Sequence, residues 1–269
     1  MLDVCRVRFV RYRLTHGDTY VRVQMDTKDS ENVNSSQSKQ SAISEGELTV
    51  TGRLVDASNA TLYAHVIHEE QEIICIYKPV AGERPLWDFD QGCLAHREFA
   101  AYCLSKYLSL DLVPFTVLRD GPYGKGMVQE WIDIDESIDL SEYFSQDRDE
   151  LRRMALFDAI INNTDRKIGH LLPIPNGHIY GCDHGVTFHS EDKLRTVLWQ
   201  WEQDELLASE IATLDLLQNE LSSEVGEQIK QLITQEEFTA LQSRVSRLLA
   251  TKVFPSPSPD WPAVPWPPF

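Results

Sequence analysis

The stretch that most constrains this chain runs from Asp158 to Asp183 and reads DAIINNTDRKIGHLLPIPNGHIYGCD. An apolar segment leads into a polar turn over residues 162–170, and two short apolar runs follow on either side of Pro-Asn-Gly at 175–177. Proline, asparagine and glycine favour a turn, so the pattern predicts a hairpin. Asp165 lies near its entrance and Asp183 at its exit. A hairpin of this kind can place two carboxylates at the mouth of one cleft.

Two carboxylates in this arrangement are typical of phosphoryl transfer. One of them, Asp165, would orient an acceptor hydroxyl and take its proton. The other, Asp183, would hold Mg²⁺ against the phosphates of a nucleotide. Gly185 follows two residues after Asp183, and glycine lets the chain turn away while the carboxylate faces the cleft.

The motifs Asn163-Thr164-Asp165-Arg166 and Asp183-His184-Gly185 resemble the catalytic loop and the metal-binding loop of phosphatidylinositol 3-/4-kinase-like enzymes. They resemble more closely the small bacterial proteins of actinobacterial type that are related to that family. The resemblance implies an α+β, two-lobed protein-kinase-like fold, with a small antiparallel sheet lobe and a helical C-terminal lobe. It also implies ATP, Mg²⁺ or Mn²⁺, and an acceptor hydroxyl on a small molecule or a protein that the sequence does not identify.

The first half of the domain reads as strands. Residues 47–55 and 62–67 alternate apolar and polar side chains around a small polar turn. Backbone N–H groups of such a turn can contact phosphates, although an ordinary hairpin has the same pattern. The resemblance assigns phosphate contact to four residues of this turn: Ser58, Asn59, Ala60 and Thr61.

Lys78 ends a compact apolar strand over residues 72–77. A lysine at the end of a buried strand is costly unless its ammonium meets an anion, whereas a surface lysine after a strand is common. A helix is predicted from Leu94 to Leu108, with Glu98 near its start. The resemblance implies that Lys78 pairs with Glu98 and contacts the nucleotide phosphates.

A returning strand over residues 126–132 leads towards the predicted hinge between the lobes. In kinase-like folds, backbone groups at this hinge bind the edge of the adenine ring. The hinge residues are Glu130, Trp131 and Ile132. Beyond the hinge, residues 148–161 and much of 204–249 have apolar side chains at helical spacing, which predicts a helical lobe.

Two further residues of the loop are candidates for the chemistry. Arg166 is assigned to neutralising developing charge, with a structural role left open beside it. His170 occupies the position, five after Asp165, where kinases usually carry the asparagine that binds a second Mg²⁺. An imidazole can bind a metal, so His170 is a candidate second ligand. Because it prefers softer ions than Mg²⁺, the question whether the protein is catalytically active stays open.

Two alternatives to a kinase stay open at this point. The first is a metallohydrolase, because several metal-binding side chains lie close together in sequence: His170, His178, Asp183, His184 and His189. No HxH or HExxH spacing supports this alternative. The second is a catalytically degenerate kinase-like module that binds a nucleotide or a protein partner.

Composition limits the partners. The formal net charge of −17 opposes binding to the phosphate backbone of nucleic acids. No apolar run approaches the length of a membrane span. The five cysteines are odd in number and scattered without CxxC spacing, which favours a reducing, cytoplasmic compartment.

Three regions are expected along the chain. Residues 1–46 form an N-terminal extension and flexible linker, because residues 26–46 are polar and poor in large apolar groups. Residues 47–254 form the catalytic domain, with lobes at about 47–132 and 133–254. The tail over residues 255–269 is rich in proline and contains two tryptophans. It is either a polyproline ligand for a protein partner or an extended segment docked on the domain through its tryptophans.

Overall fold

The computed structural model describes residues 7–13, 19–25, 30–54, 59–68, 71–89 and 93–269, with side chains described from residue 37 onward. The chain divides into two compact units. Unit 1 consists of Met1–Arg84 and Phe115–Trp131, and unit 2 of Pro85–Pro114 and Ile132–Phe269.

The strands in the described part of the chain are β1 Val7–Arg13, β2 Thr19–Met25, β3 Glu47–Arg53, β4 Leu62–His68, β5 Gln71–Pro79, β6 Thr116–Gly121, β7 Gly124–Glu130, β8 Leu171–Pro173 and β9 Ile179–Gly181. The α-helices are α1 Ser30–Glu45, α2 Leu94–Tyr107, α3 Leu140–Tyr143, α4 Asp149–Ile161, α5 Ala208–Glu220, α6 Glu224–Ile229 and α7 Gln235–Thr251.

Unit 1 contains a five-stranded antiparallel sheet in the order β3-β4-β5-β7-β6. Burial alternates along β4 and β5, as a strand with one face in the core requires. The core of this unit consists of Ala42, Ile43, Leu48, Leu62, Ala64, Val66, Ile73, Cys75, Tyr77 and Val128. The small antiparallel sheet expected from the sequence is therefore confirmed. Strands β1 and β2 form a separate antiparallel pair.

Helix α1 lies where the sequence predicts a flexible linker, over residues 26–46. Ala42 and Ile43 in its last turns are fully buried in the core of unit 1. Arg119 on β6 donates hydrogen bonds to the carbonyl oxygens of Ile43 and Gly46, both at 2.7 Å, and so satisfies groups at the C-terminus of the helix. The linker prediction is corrected for the length of α1, because the polar composition concealed two buried apolar side chains.

Unit 2 is mainly helical, and its core is built around α4 and α7. Along α7, Phe238, Leu241, Val245 and Leu248 are buried at helical spacing. Their spacing of three and four residues gives the helix one apolar face. The helices predicted for the second half of the chain are present in this unit.

Helix α2 belongs to unit 2, although the sequence analysis assigned it to the N-terminal lobe over residues 47–132. Arg97 at its start forms a buried ion pair with Glu237 on α7, with Nη2 and Oε1 2.6 Å apart. Glu98 accepts a hydrogen bond from the backbone N–H of His184 at 2.8 Å. Contacts with residues far away in sequence thus decide the unit to which this helix belongs.

One passage of the chain between the units falls within residues 130–132, the predicted hinge. The chain passes from unit 1 to unit 2 between Trp131 and Ile132. The tail over residues 255–269, which was expected to be a separate region, is part of unit 2. Among the described residues, the structure contains no helix with the length and apolar character needed to cross a membrane.

Replacement of Ile43 by alanine is expected to lower the free energy of unfolding by about 2 to 5 kcal/mol, because it leaves a cavity in a closed core. Ile67 on β4 is 50% exposed and provides the matched control. Ile67→Ala is expected to cost less than about 1 kcal/mol. Urea denaturation of both variants measures the difference. Equal losses would show that α1 is not part of the core.

Candidate active site

The candidate catalytic loop, residues 163–170, begins where α4 ends. The end of the helix is fixed by Asn162, whose φ of 52° lies in the left-handed region that asparagine tolerates. Its side-chain amide donates to the carbonyls of His189 and Glu191 at 2.9 and 2.6 Å, and its Oδ1 accepts from the backbone N–H of Lys193 at 3.0 Å. The direction in which the loop leaves the helix is therefore set by side-chain hydrogen bonds.

A fully buried ion pair between Asp158 and Arg166 organises the loop. Both side chains have no exposed surface, and Arg166 Nε and Nη2 donate to Asp158 at 2.9 to 3.2 Å. Asp158 Oδ1 also accepts a hydrogen bond from the Asn163 side chain at 2.9 Å. Burial lowers the pKa of Arg166, but the charge and hydrogen bonds of Asp158 outweigh that effect and raise it above its ordinary value.

Arg166 also connects the loop to the exit of the hairpin. Its Nη1 donates to the carbonyl of Cys182 at 3.1 Å, and its Nη2 lies 2.7 Å from Nε2 of His184. These two residues flank Asp183, so the guanidinium of Arg166 ties the catalytic loop before the hairpin to the residues that follow it. The direct catalytic role assigned to Arg166 does not agree with a fully buried side chain, which no reactant can contact. Arg166 is a positioning residue.

The hairpin brings together three side chains that can bind a metal. Among the described residues, one group of this kind is present: Asp165, His170 and Asp183, whose potential ligand atoms lie within 4.8 Å of one another. His170 Nε2 and Asp183 Oδ2 are 3.5 Å apart. Two ligands of one ion at ~2.1 Å lie at most ~4.2 Å apart, so this pair already fits, and the third atom needs only a small approach.

Asp183 has a backbone φ of 61°, in the left-handed region. A residue other than glycine adopts this conformation rarely, and such strain is concentrated at functional sites. Its side chain is half exposed, while Asp165 and His170 are partly buried. The expectation that Asp183 follows a short strand agrees with its place two residues after β9.

The electrostatics of Asp165 suit a proton acceptor. Burial raises the pKa of its carboxyl, and the neighbouring negative charge of Asp183 raises it further. Lys167 acts in the opposite direction, since its ammonium lies 3.3 Å from Asp165 Oδ2. Lys167 was missed by the sequence analysis. Its position two residues after Asp165 is the signal that could have identified it.

The other histidines of this region are bonded elsewhere. Arginine is only a donor, so Nε2 of His184 must accept the hydrogen bond from Arg166, and that ring is therefore neutral with its proton on Nδ1. His178 Nε2 bonds the carbonyl of Asp111 at 2.8 Å, and His189 Nε2 bonds that of Asp88 at 2.7 Å. The metallohydrolase alternative needs several of these rings as ligands, and among the described residues only His170 lies with Asp165 and Asp183 in a group that could hold a metal.

Glu98 lies beside the metal-binding loop within unit 2. Its side chain is 1% exposed, and Oε2 accepts the hydrogen bond from the backbone N–H of His184. An added Cβ at Gly185 would lie 3.7 Å from the other carboxylate oxygen, Oε1. Glu98 thus supports the residue that follows Asp183. Its pairing with Lys78, which belongs to unit 1, stays a prediction.

The predicted phosphate-binding turn belongs to unit 1. Ser58 lies outside the described residues. The N–H groups of Ala60 and Thr61 donate to the carbonyls of Gly82 and Asn59, at 3.2 and 2.9 Å. Both groups are therefore engaged within the unit, and phosphate contact by Asn59, Ala60 and Thr61 stays a prediction.

The other predicted binding residues lie on β5, at the end of β7 and just after it. Lys78 is partly buried on β5, opposite Met127 of β7. At the end of β7, Glu130 forms an ion pair with Lys39 at 3.2 Å, and the Trp131 ring packs edge-on against Tyr63. Ile132 is the first residue of the following part of unit 2. The role of the hinge in binding adenine stays a prediction.

The tail docks on unit 2 through one of its two tryptophans. The Trp261 ring lies 6.1 Å from that of Trp87, and the Lys193 ammonium lies 4.1 Å from the centre of the Trp261 ring, as in a cation–π contact. Trp266 is 86% exposed. The docked alternative is therefore correct for Trp261 and wrong for Trp266, and a protein partner for the tail stays a prediction.

The fold and site define a mixed α/β protein of two units, with a candidate divalent-metal site of two carboxylates and one imidazole. No protein-family model matches the chain. Protein Rv2133c of Mycobacterium tuberculosis is 40% identical over an aligned length of 262, and the match covers 84% of this chain and 94% of that protein. The chain therefore belongs to the same family as Rv2133c.

A solved structure with a partial likeness is the Helicobacter pylori proinflammatory kinase CtkA. The TM-score is 0.45 and the sequence identity 11%, over 79% of this chain and 94% of that chain. A likeness at this level does not bear on fold or activity, so the candidate site stands on its own residues.

Replacement of Asp158 by asparagine is expected to cost about 3 to 5 kcal/mol of unfolding free energy, because it leaves the buried charge of Arg166 uncompensated. The matched control is Asp192→Asn. Asp192 pairs with Arg247 at 2.9 Å while both side chains are about half exposed, so its loss should be under about 1 kcal/mol. Urea denaturation measures both values. Similar losses would contradict an organising role for the buried pair.

Proposed function

We propose that the protein is an ATP- and divalent-metal-dependent phosphotransferase with a kinase-like fold, which acts on a hydroxyl acceptor. The observation that carries the proposal is the group formed by Asp165, His170 and Asp183 at the two ends of the hairpin. One carboxylate has a raised pKa and a lysine beside it, and the other is half exposed next to an imidazole. The two acids thus have different environments, as acid–base and metal-binding roles require.

Asp165 is the general base in this proposal. Its carboxylate accepts the proton of the acceptor hydroxyl while the acceptor oxygen forms a bond to the γ-phosphorus. The bond from that phosphorus to the bridging oxygen breaks, and ADP leaves with the electron pair. Positioning and electrostatics provide most of the rate enhancement in such transfers, so the rigid support of the loop by Asp158 and Arg166 is central.

Asp183 and His170 are the residues that would hold the metal. A bound divalent ion would neutralise charge on the phosphate oxygens. Asp183 provides the hard oxygen ligand that Mg²⁺ and Mn²⁺ prefer, and His170 adds a nitrogen ligand at 3.5 Å from it. The proposal assigns charge neutralisation beside the acceptor to Lys167, in place of the buried Arg166.

The proposal keeps the earlier assignments of Lys78 and of the hinge. Lys78 contacts the nucleotide phosphates, and the hinge at Glu130 to Ile132 binds the adenine edge. The passage of the chain from one unit to the other within this hinge supports the second assignment. Glu98 takes part through its hydrogen bond to His184 beside the metal ligand, and its pairing with Lys78 is part of the proposal.

The second candidate is a catalytically degenerate module that binds a nucleotide without transferring phosphate. The observation that favours it is His170, which stands where a carboxamide ligand is expected and pairs with Asp183 instead. Protonation of this imidazole would turn a metal ligand into a competing cation. The two candidates differ in turnover and agree on nucleotide binding.

The expected result is ATP binding that depends on Mg²⁺ or Mn²⁺ and slow release of ADP with water as acceptor. Asp183→Asn should weaken metal-dependent binding on the order of tenfold or more, by loss of a charged ligand. Asparagine tolerates the left-handed backbone of this position, so the variant changes the charge alone. Asp165→Asn should retain binding and lower turnover by at least about 10²-fold. Calorimetry and an ADP-release assay measure these quantities.

Three further variants complete the experiment. Lys78→Met should weaken ATP binding, and Asp192→Asn, an exposed acid outside the site, should change neither quantity. His170→Asn, which replaces the imidazole by a carboxamide oxygen ligand, should retain metal-dependent ATP binding and turnover with Mg²⁺. ATP binding that is independent of metal and insensitive to Asp183→Asn would overturn the proposal. Metal-dependent binding without turnover would favour the degenerate module.

A further inference from the structure

The tail, residues 255–269, is bonded to a segment that lies beside the catalytic loop. The backbone carbonyl of Ala263 accepts two hydrogen bonds, from the Thr196 N–H at 3.1 Å and from the Trp199 Nε1–H at 2.9 Å. Proline has no N–H, so a proline-rich tail can bond to its surroundings mainly through carbonyls. Both donors belong to residues 193–199, which we call the bridging segment.

The bridging segment is in turn bonded to the catalytic loop. Arg195 donates its N–H to the carbonyl of Asn163 at 2.9 Å and accepts from the Arg166 N–H at 3.1 Å. Val197 donates to the carbonyl of Arg166 at 3.2 Å. The backbone on both sides of Asp165 is therefore held by a short ladder of hydrogen bonds to the bridging segment.

The tail also contacts the catalytic loop directly. The Ile168 N–H donates to the carbonyl of Pro268 at 2.8 Å. Ile168 is 4% exposed and lies between Asp165 and His170, two members of the candidate metal-binding group. The loop is thus supported at one point by the tail and at two points by the segment to which the tail is bonded.

The docking of the tail is suited to a rigid support. Trp261 packs against Trp87 and the Lys193 ammonium, and Pro265 is buried. An extended proline-rich chain has few conformations to lose, so it docks with a small loss of entropy. Trp266 on the same tail is 86% exposed and does not take part in this packing.

We propose that the tail positions the catalytic loop, and that Trp199 is a positioning residue that couples the two. The proposal rests on the proposed phosphotransferase function. With the tail docked, the ladder between the bridging segment and the loop keeps Asp165 in place for proton transfer. Without the tail, the loop samples positions in which Asp165 is misplaced, and turnover falls while the affinity for ATP changes little.

The test compares the full chain with a truncation after Ser258 and with Trp199→Phe, which removes one N–H donor and keeps an aromatic ring. The measured quantities are hydrogen exchange of single backbone amides, and kcat and KM for ADP release from ATP. The decisive amides are those of Arg166 and Val197, because their hydrogen bonds do not involve the tail. Both should exchange at least about tenfold faster in the truncated protein, and less so in Trp199→Phe.

Controls separate positioning from general loss of structure. Trp266→Phe alters the exposed tryptophan of the same tail and should leave exchange and turnover unchanged. The Leu241 amide in the buried helix α7 should keep its protection in every variant. In the truncated protein kcat should fall on the order of ten- to hundredfold, with KM for ATP changed less than about twofold, because misplacement of the base acts in the reacting state.

The outcomes separate the two proposals. If only Ile168 and Thr196, which lose their own acceptors, exchange faster, the tail is a local attachment and the positioning proposal is overturned. If the truncated protein unfolds, Trp199→Phe alone decides by the same amides. If the full chain releases no ADP but the Arg166 and Val197 amides respond, the phosphotransferase function fails while the mechanical coupling stands.

Discussion

The buried ion pair between Asp158 and Arg166 is the interaction on which the candidate site depends. A buried pair is a weak source of stability, because the desolvation of two charges offsets their attraction. In this structure the ion pair serves mainly to fix the positions of the chain segments around it. The guanidinium joins the end of α4, the catalytic loop and the strand exit that carries Asp183, so three parts of the chain meet at one fully buried group. The buried ion pair therefore determines where the more exposed residues of the site lie.

Support for the loop comes from further layers around that pair. Asn162 fixes the end of α4, and Glu98 holds the backbone after Asp183. The bridging segment is hydrogen-bonded to the backbone of the catalytic loop, and the tail is hydrogen-bonded to both of them. Pre-organisation of this kind matters for phosphoryl transfer, in which the protein contributes placement and charge more than covalent chemistry. Asp183, which has a left-handed backbone, is held by these supports while half of its side-chain surface is exposed to solvent.

The sequence alone predicts those elements that depend on residues close together along the chain. The hairpin and its two acids follow from turn residues and short apolar runs, and the antiparallel strands of unit 1 follow from alternation. His170 became a candidate ligand only through the family resemblance. The sequence was insufficient wherever distant residues decide. Helix α1 depends on a core formed by other strands, and α2 joins unit 2 through a buried ion pair between residues 140 positions apart. The motif shows only that Arg166 is next to Asp165 in sequence, so the burial of its side chain could not be predicted from it.

The central claim is that Asp183 and His170 bind a divalent metal next to Asp165. The most direct measurement is anomalous scattering from a crystal of the protein grown with Mn²⁺ and a non-hydrolysable ATP analogue. The account predicts one Mn²⁺ at about 2.1 Å from an Asp183 oxygen, with Nε2 of His170 in the same coordination shell and Asp165 close by. A nucleotide bound with no metal at these residues, or a metal bound elsewhere in unit 2, would contradict it.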